Sequence, residues 1–322
     1  MSEPMAPHSQ PPGLARKAQA KRIIAVGGGK GGVGKSMVSS SLAIAIARRG
    51  FRVTLVDADL GGANLHTCLG IPQPASTLSD FIVRRTERLE EVMVPTGIPN
   101  LNLIAGARDA MDVANPRYQQ KLKLLRHLQA LQVDYVILDL GAGSSYNTLD
   151  FFLIADHGIV VVLPEPTSIE NAYRFVKAAF FRRLQNASEQ YNLRHLLDTV
   201  MASQEGALRT PYEFVAQVKL QNAVLGAYLD RELKSFNVKV VVNQVRQPAD
   251  EGVGNAVVSA WKKFFGLQMD FLGPVRHDED AWQAVRNRRP LLVDFPNSIA
   301  SAGLTKIAEN LISLDARAGL SK

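Results

Sequence analysis

A doubly wound α/β fold, with a mostly parallel sheet flanked by helices and one helical insertion, is what this 322-residue sequence predicts. Three observations carry the prediction. Short β-like runs alternate with helical patterns almost from end to end, the rhythm of βαβ units. Several runs, such as Gly158–Leu163, are continuously apolar and not alternating, as expected where helices cover both faces of a sheet. A glycine-rich segment, Gly29–Ser36, stands between a strand pattern and a helix pattern, where an open α/β sheet builds a phosphate site.

Taken in order, residues 1–20 are polar and Pro-rich through Pro12, with Arg16 and Lys17 opening a basic cluster that continues in Lys21 and Arg22. They are expected to be a disordered tail. The first strand is expected at Ile23–Val26. A helix over Ser36–Arg49 follows the glycine-rich loop: Val38, Leu42, Ala45 and Ile46 recur at helical spacing, and Gly50 sits where the helix would end. Strands at Val53–Val56, Leu101–Ala105, Tyr135–Leu138 and Gly158–Leu163 come next, with a helix near Pro116–Leu131. A helix over Ser168–Phe181 is opened by a capping box, Thr167 with Glu170. About 55 residues then pass without a clear strand, more than one crossover needs. Tyr191–Met201 and Pro211–Phe236 look helical, so 182–235 is read as a helical insertion. Strands Val238–Val242 and Met269–Leu272, with helices Asn255–Phe265, Glu279–Arg286 and Ser298–Leu314, complete one domain over 21–316, and 317–322 form a short tail.

Composition narrows the class. With 46% hydrophobic residues the chain can bury a full core, and its net charge of +7 is compatible with nucleotide, nucleic acid or anionic lipid without selecting among them. The single cysteine, Cys68, excludes an intrachain disulfide and a C-x-x-C metal motif. No apolar run approaches the roughly 20 residues needed to cross a membrane. A reducing, cytoplasmic setting fits these features.

The chemistry concentrates at strand ends. Gly29-Lys30-Gly31-Gly32-Val33-Gly34-Lys35-Ser36 fits G-x-x-x-x-G-K-[ST], and Met37 follows it at the helix start. Its backbone amides can converge on the phosphates of ATP, Lys35 can reach the β- and γ-phosphates, and the Ser36 hydroxyl can ligate Mg²⁺. The second strand ends in Asp57-Ala58-Asp59, two carboxylates able to serve magnesium and the attacking water. The fourth ends in Asp139-Leu140-Gly141, an apolar run closed by a carboxylate that can hold Mg²⁺ through water, with Gly141 allowing close backbone approach. Asn243, at the end of the sixth, offers a donor and an acceptor to a base such as adenine. Lys30 is one lysine more than a phosphate loop needs. Pointing outward, it could serve the nucleotide of a second subunit, as an arginine finger does, which predicts a homodimer closed over two ATP molecules.

These residues resemble the MinD/ParA family of P-loop ATPases, whose K-G-G-x-G-K-[ST] loop is matched by Lys30–Ser36; the likeness covers roughly 21–180 and 236–314. It implies that Lys30 acts in trans, Lys35 binds phosphate, Ser36 binds magnesium, Asp59 orients water and Asp139 is the Walker B carboxylate. Within the family the likeness is to the flagellar-number regulators of the FlhG (FleN) branch, carried by Asp57–Asn64, Asp139–Gly143, Leu149–Phe152 and Pro164–Ile169. That branch implies an ATP-dependent dimerising switch that positions or numbers a cellular structure, with a protein partner or activator. Residues 1–20 lack the branch's D-Q-A-x-x-L-R segment.

A membrane surface and non-specific DNA are the surfaces such switches engage. Leu304, Ile307, Ala308, Leu311 and Ile312 form one apolar face of the last helix, but Glu309 and Asp315 weaken its basic side, so a core helix is expected. Arg276, Arg286, Arg288 and Arg289 form the alternative, a basic patch for DNA.

Overall fold

The computed structural model describes residues 21–106, 116, 118–190 and 210–320. Its described strands form one eight-stranded sheet, ordered β3-β4-β2-β5-β1-β6-β7-β8. These are β1 (Arg22–Gly27), β2 (Val53–Ala58), β3 (Met93–Pro95), β4 (Leu101–Ile104), β5 (Tyr135–Leu140), β6 (His157–Val162), β7 (Val238–Val245) and β8 (Met269–Arg276). Every neighbouring pair is parallel except β3 with β4. The central strands β1, β2, β5 and β6 are buried almost throughout, which explains their continuous apolar sequence. Sequence reasoning missed β3. It is three residues long, ends in proline and lies at the sheet's edge, where proline is tolerated.

Helix α1 (Lys35–Arg48) packs on one face of the sheet with the last helix, α13 (Ile299–Leu320). On the other face lie α4 (Tyr118–Ala130), α5 (Tyr146–Leu153), α6 (Pro166–Gln190), α7 (Pro211–Gln221), α8 (Ala223–Lys234) and α10 (Val253–Phe265). Short helices α2 (Leu65–Cys68), α3 (Leu78–Ile82), α9 (Pro248–Glu251) and α12 (Leu291–Asp294), and the longer α11 (Glu279–Arg286), fill the connections.

Several boundaries differ from the sequence reading. Helix α6 begins at Pro166, a first-turn position suited to proline, and runs past Phe181 to Gln190, because Leu184 continues the buried stripe of Phe175, Val176, Ala179 and Phe180. Glu170 pairs with Arg174 one turn on, at 2.5 Å, where the sequence suggested a capping box with Thr167. The helix-like run Pro211–Phe236 is two helices. They break at Asn222, whose side chain accepts the Leu225 amide at 2.9 Å and caps the second. Tyr191–Met201, like the tail at 1–20, lies outside the described residues. Helix α13 continues to Leu320, past the expected end of the domain.

The apolar face of α13 is spent inside the protein. Leu304, Ile307, Ala308 and Leu311 are buried on the sheet, and Ile312 is partly so. Asp315 then bolts the helix to the foot of the sheet. It accepts from Arg22 Nε at 2.8 Å, Tyr135 Oη at 3.0 Å and His157 Nε2 at 2.8 Å. Burial alone would push its carboxyl up, but the hydrogen bond and charge of His157, with Arg22 and Tyr135, hold it below the usual range. Among the described residues no helix is long and apolar enough to cross a membrane.

Candidate functional site

The glycine-rich loop leaves β1 at the carboxyl edge of the sheet and enters α1 through Gly34, whose φ of 91° lies in the left-handed region. The loop is squeezed from behind. A Cβ on Gly29 would stand 2.0 Å from the carbonyl oxygen of Asn171 on α6, so the loop lies directly on that helix. In front it is open: Lys30, Gly31 and Gly32 are exposed, and a Cβ on Gly32 would meet nothing within 4 Å. Val33 turns inward and is buried, while Ser36 and Met37 are half-buried at the start of α1.

The two lysines are placed differently. Lys35 is buried, and its ammonium donates to the carbonyl of Lys30 at 3.3 Å. Burial lowers its pKa, against the opposing pull of Asp139 and Asp59. Lys30 extends from the exposed front of the loop.

Strand pairing brings the carboxylates together. Asp57 on β2 is opposite Asp139 on β5 in the parallel register, and both are buried. Burial, then the charge of Asp139, pushes Asp57 up to about 7. Burial pushes Asp139 up to about 6, although the hydroxyls of Ser36 and Ser39 draw it down. One oxygen of Asp139, Oδ1, is buried without a hydrogen-bond partner. Asp57 Oδ1 accepts the Asp59 amide at 3.2 Å and Oδ2 accepts the Leu65 amide at 2.9 Å, so it also ties the loop after β2 to the start of α2. Asp59 lies against Gly141, where a Cβ would stand 2.9 Å from its Oδ1. The glycine after Asp139 therefore makes room for Asp59, a reason the sequence did not reveal.

Asn243 is tied to the phosphate loop itself. It is 1% exposed, and both of its functional groups are engaged: Nδ2 donates to the Val33 carbonyl at 2.9 Å and Oδ1 accepts the Gln244 amide at 2.9 Å. A Cβ on Gly34 would stand 2.3 Å from Nδ2. Asn243 therefore supports the phosphate loop at Val33 and lies against Gly34. Sequence reasoning also missed Asp150. It sits on the helix leaving the Gly141–Ser145 loop and is clamped by Lys121 and by Arg182, whose Nε lies 2.8 Å away.

The donor set fits magnesium. A hydroxyl and paired carboxylates with an unsatisfied oxygen suit a small hard cation. Among the described residues no group of three His, Cys, Asp or Glu could hold a metal unaided, as expected where water and phosphate complete the shell.

An open, mostly parallel sheet, a phosphate loop at its carboxyl edge and buried carboxylates on β5, the strand beside β1, and on β2, the next strand out, define a P-loop nucleoside triphosphatase. The family model described as "ParA: NUBPL iron-transfer P-loop NTPase" matches residues 19–187, and the chain belongs to this ParA/MinD family of ATPases. It is 26% identical over 295 residues to the antiactivator FleN of Pseudomonas aeruginosa, covering 91% of this chain and 86% of that one. It is 25% identical over 303 residues to the flagellum site-determining protein YlxH of Helicobacter pylori, covering 91% and 82%. Among solved structures it shares its fold with the septum site-determining protein MinD of Pyrococcus horikoshii in complex with Mg-ADP, at TM-score 0.60 and 19% identity over 94% of this chain and 99% of the other.

Proposed function

We propose that this chain is an ATP-driven switch that positions or counts a cellular structure, closing as a homodimer over two ATP molecules and reopening on hydrolysis. The observation that carries the reading is the split of the two lysines, Lys35 buried in the loop and Lys30 exposed at its front. One subunit has a use for the first; the second stands exposed at the front of the loop. The names of FleN and YlxH support a role in the control or siting of flagella, with a protein partner.

In this reading Gly29–Ser36 and Met37 hold the nucleotide, Lys35 neutralises the phosphates, and Ser36 holds magnesium with Asp57 and Asp139 through water. Bound there, magnesium supplies charge neutralisation on the phosphate oxygens. Asp59, in the space left by Gly141, orients water for attack on the γ-phosphorus as the bond to the departing ADP oxygen breaks. Lys30 of each copy completes the other's site.

Size-exclusion chromatography with ATP and a phosphate-release assay test this together. Lys30→Ala is expected to stay monomeric with ATP, and Asp59→Ala to dimerise but turn over at least tenfold more slowly. ATP-dependent dimerisation of Lys30→Ala, or undiminished turnover in Asp59→Ala, refutes the corresponding role. Liposome sedimentation set against a duplex DNA shift identifies the surface engaged.

A further inference from the structure

Between α2, the turn joining β3 to β4 and the turn after α11 lies a groove of about 820 Å³ that the switch reading does not use. Its volume is in the range of small-molecule sites. One wall follows directly from the loop after β2 and includes His66, Thr67 and Gln73; the opposite wall is the turn after α11, with Asn287, Arg288 and Arg289. Among the described residues no Asp or Glu lines it. The groove therefore presents guanidinium, imidazole, hydroxyl and amide groups, with no lining carboxylate to repel an anion.

Two features set Arg288 apart. Its backbone φ is 54°, a left-handed conformation that strains a non-glycine residue. Its carbonyl also pins the two walls together: a Cβ on Gly70, itself at φ 67°, would stand 2.9 Å away. Among the described residues no carboxylate is ion-paired with Arg288. Arg289 is held differently, by Asp294 through Nε at 2.9 Å, which leaves the outer edge of its guanidinium for a ligand.

We propose that this groove is a second ligand site, for a compact phosphate-bearing anion of nucleotide or polyphosphate size, held by Arg288 and Arg289. A concave pocket rimmed by neutral donors suits a small anion better than a duplex, which needs cations spread along a surface. The site is joined to the first one. His66 and Thr67 belong to α2, whose first amide, that of Leu65, is held by Asp57 at 2.9 Å. An anion resting on α2 thus leans on the element that Asp57 holds, and the two sites should alter each other's affinity by the same factor.

The test is calorimetric titration of tripolyphosphate into the full chain saturated with ADP and Mg²⁺, so that the phosphate loop is filled. One further site is expected, weakening as salt is raised. Arg288→Gln, which removes only charge, and Arg288→Gly, which also relieves the backbone, should each weaken tripolyphosphate binding at least tenfold. Arg288→Gly should melt no lower than the parent, whereas a purely structural arginine would lower it. Unchanged affinity in both variants overturns the proposal. So does release of ADP in proportion to tripolyphosphate bound, which places the anion in the phosphate loop, and so does binding of duplex DNA without any binding of tripolyphosphate.

Discussion

Replacing Asp139 with asparagine should make the magnesium-free protein more stable while disabling it. Asp139 is buried, opposite Asp57, with one oxygen unpartnered, and its pKa is raised from 3.8 to about 6. A rise of roughly two units corresponds to about 3 kcal/mol of unfavourable free energy in the ionised native state. The sign follows from proton binding. Between the unfolded and folded pKa values the native state holds more protons, so stability is fully present below about 4 and is lost as pH rises toward 6. The asparagine variant lacks that loss. Part of the gain is offset, because the new amide must find partners of its own, which leaves a net stabilisation of about 1–2 kcal/mol at pH 8. In a chain of this size that is a rise of a few degrees in Tm. Thermal melts of parent and variant in chelator, from pH 4 to pH 8, should show the variant below the parent at low pH, where only the amide's cost remains, and above it at pH 8. With ADP and Mg²⁺ at about 100 times Kd the parent should gain about 2.7 kcal/mol and the variant far less. A variant that melts below the parent at pH 8 in chelator would refute the claim that this carboxylate is an uncompensated charge awaiting a cation.

Other outcomes follow from the same geometry. Asn243→Ala removes the donor to the Val33 carbonyl, so ATP and GTP affinities should fall together by about tenfold, the worth of one hydrogen bond; fluorescent-nucleotide titration checks this, and a selective loss of adenine preference would assign Asn243 to base reading instead. Asp315→Ala strips the buried anion from Arg22, Tyr135 and His157 and should cost about 3–5 kcal/mol at pH 7 by urea denaturation. Because the Asp315 pKa is depressed, the deficit should shrink as pH falls below about 4 and the parent's own carboxylate protonates.

The fold was legible because parallel strands declare themselves as apolar runs; the seven strands anticipated all exist, and among the described residues the one missed is a three-residue edge strand. The juxtaposition of carboxylates was legible where a residue type and a strand end coincide, as at Asp57 and Asp139, which the sheet register brings together. The site was not legible where a side chain's partner is remote in sequence. Asn243 meets Val33 across 210 positions and Asp150 meets Arg182 across 32. No local pattern announces such pairs. A polar residue at a strand end looks the same whether it faces a ligand or the back of a loop. The requirement for glycine at 141 is of the same kind, since what forbids a side chain there is Asp59 in the loop after β2.

The contact between Gly29 and the Asn171 carbonyl has a mechanical meaning. Helix α6 continues from Asn171 to Gln190, about 28 Å at 1.5 Å per residue. If its far end were the pivot, a tilt of about 5° would carry Asn171 some 2.5 Å, more than the 2.0 Å that a single added carbon would leave behind Gly29. The phosphate loop has no slack in that direction. A partner pressing on the long helix, well away from the nucleotide, would therefore act on the phosphate cradle as a lever acts on its load.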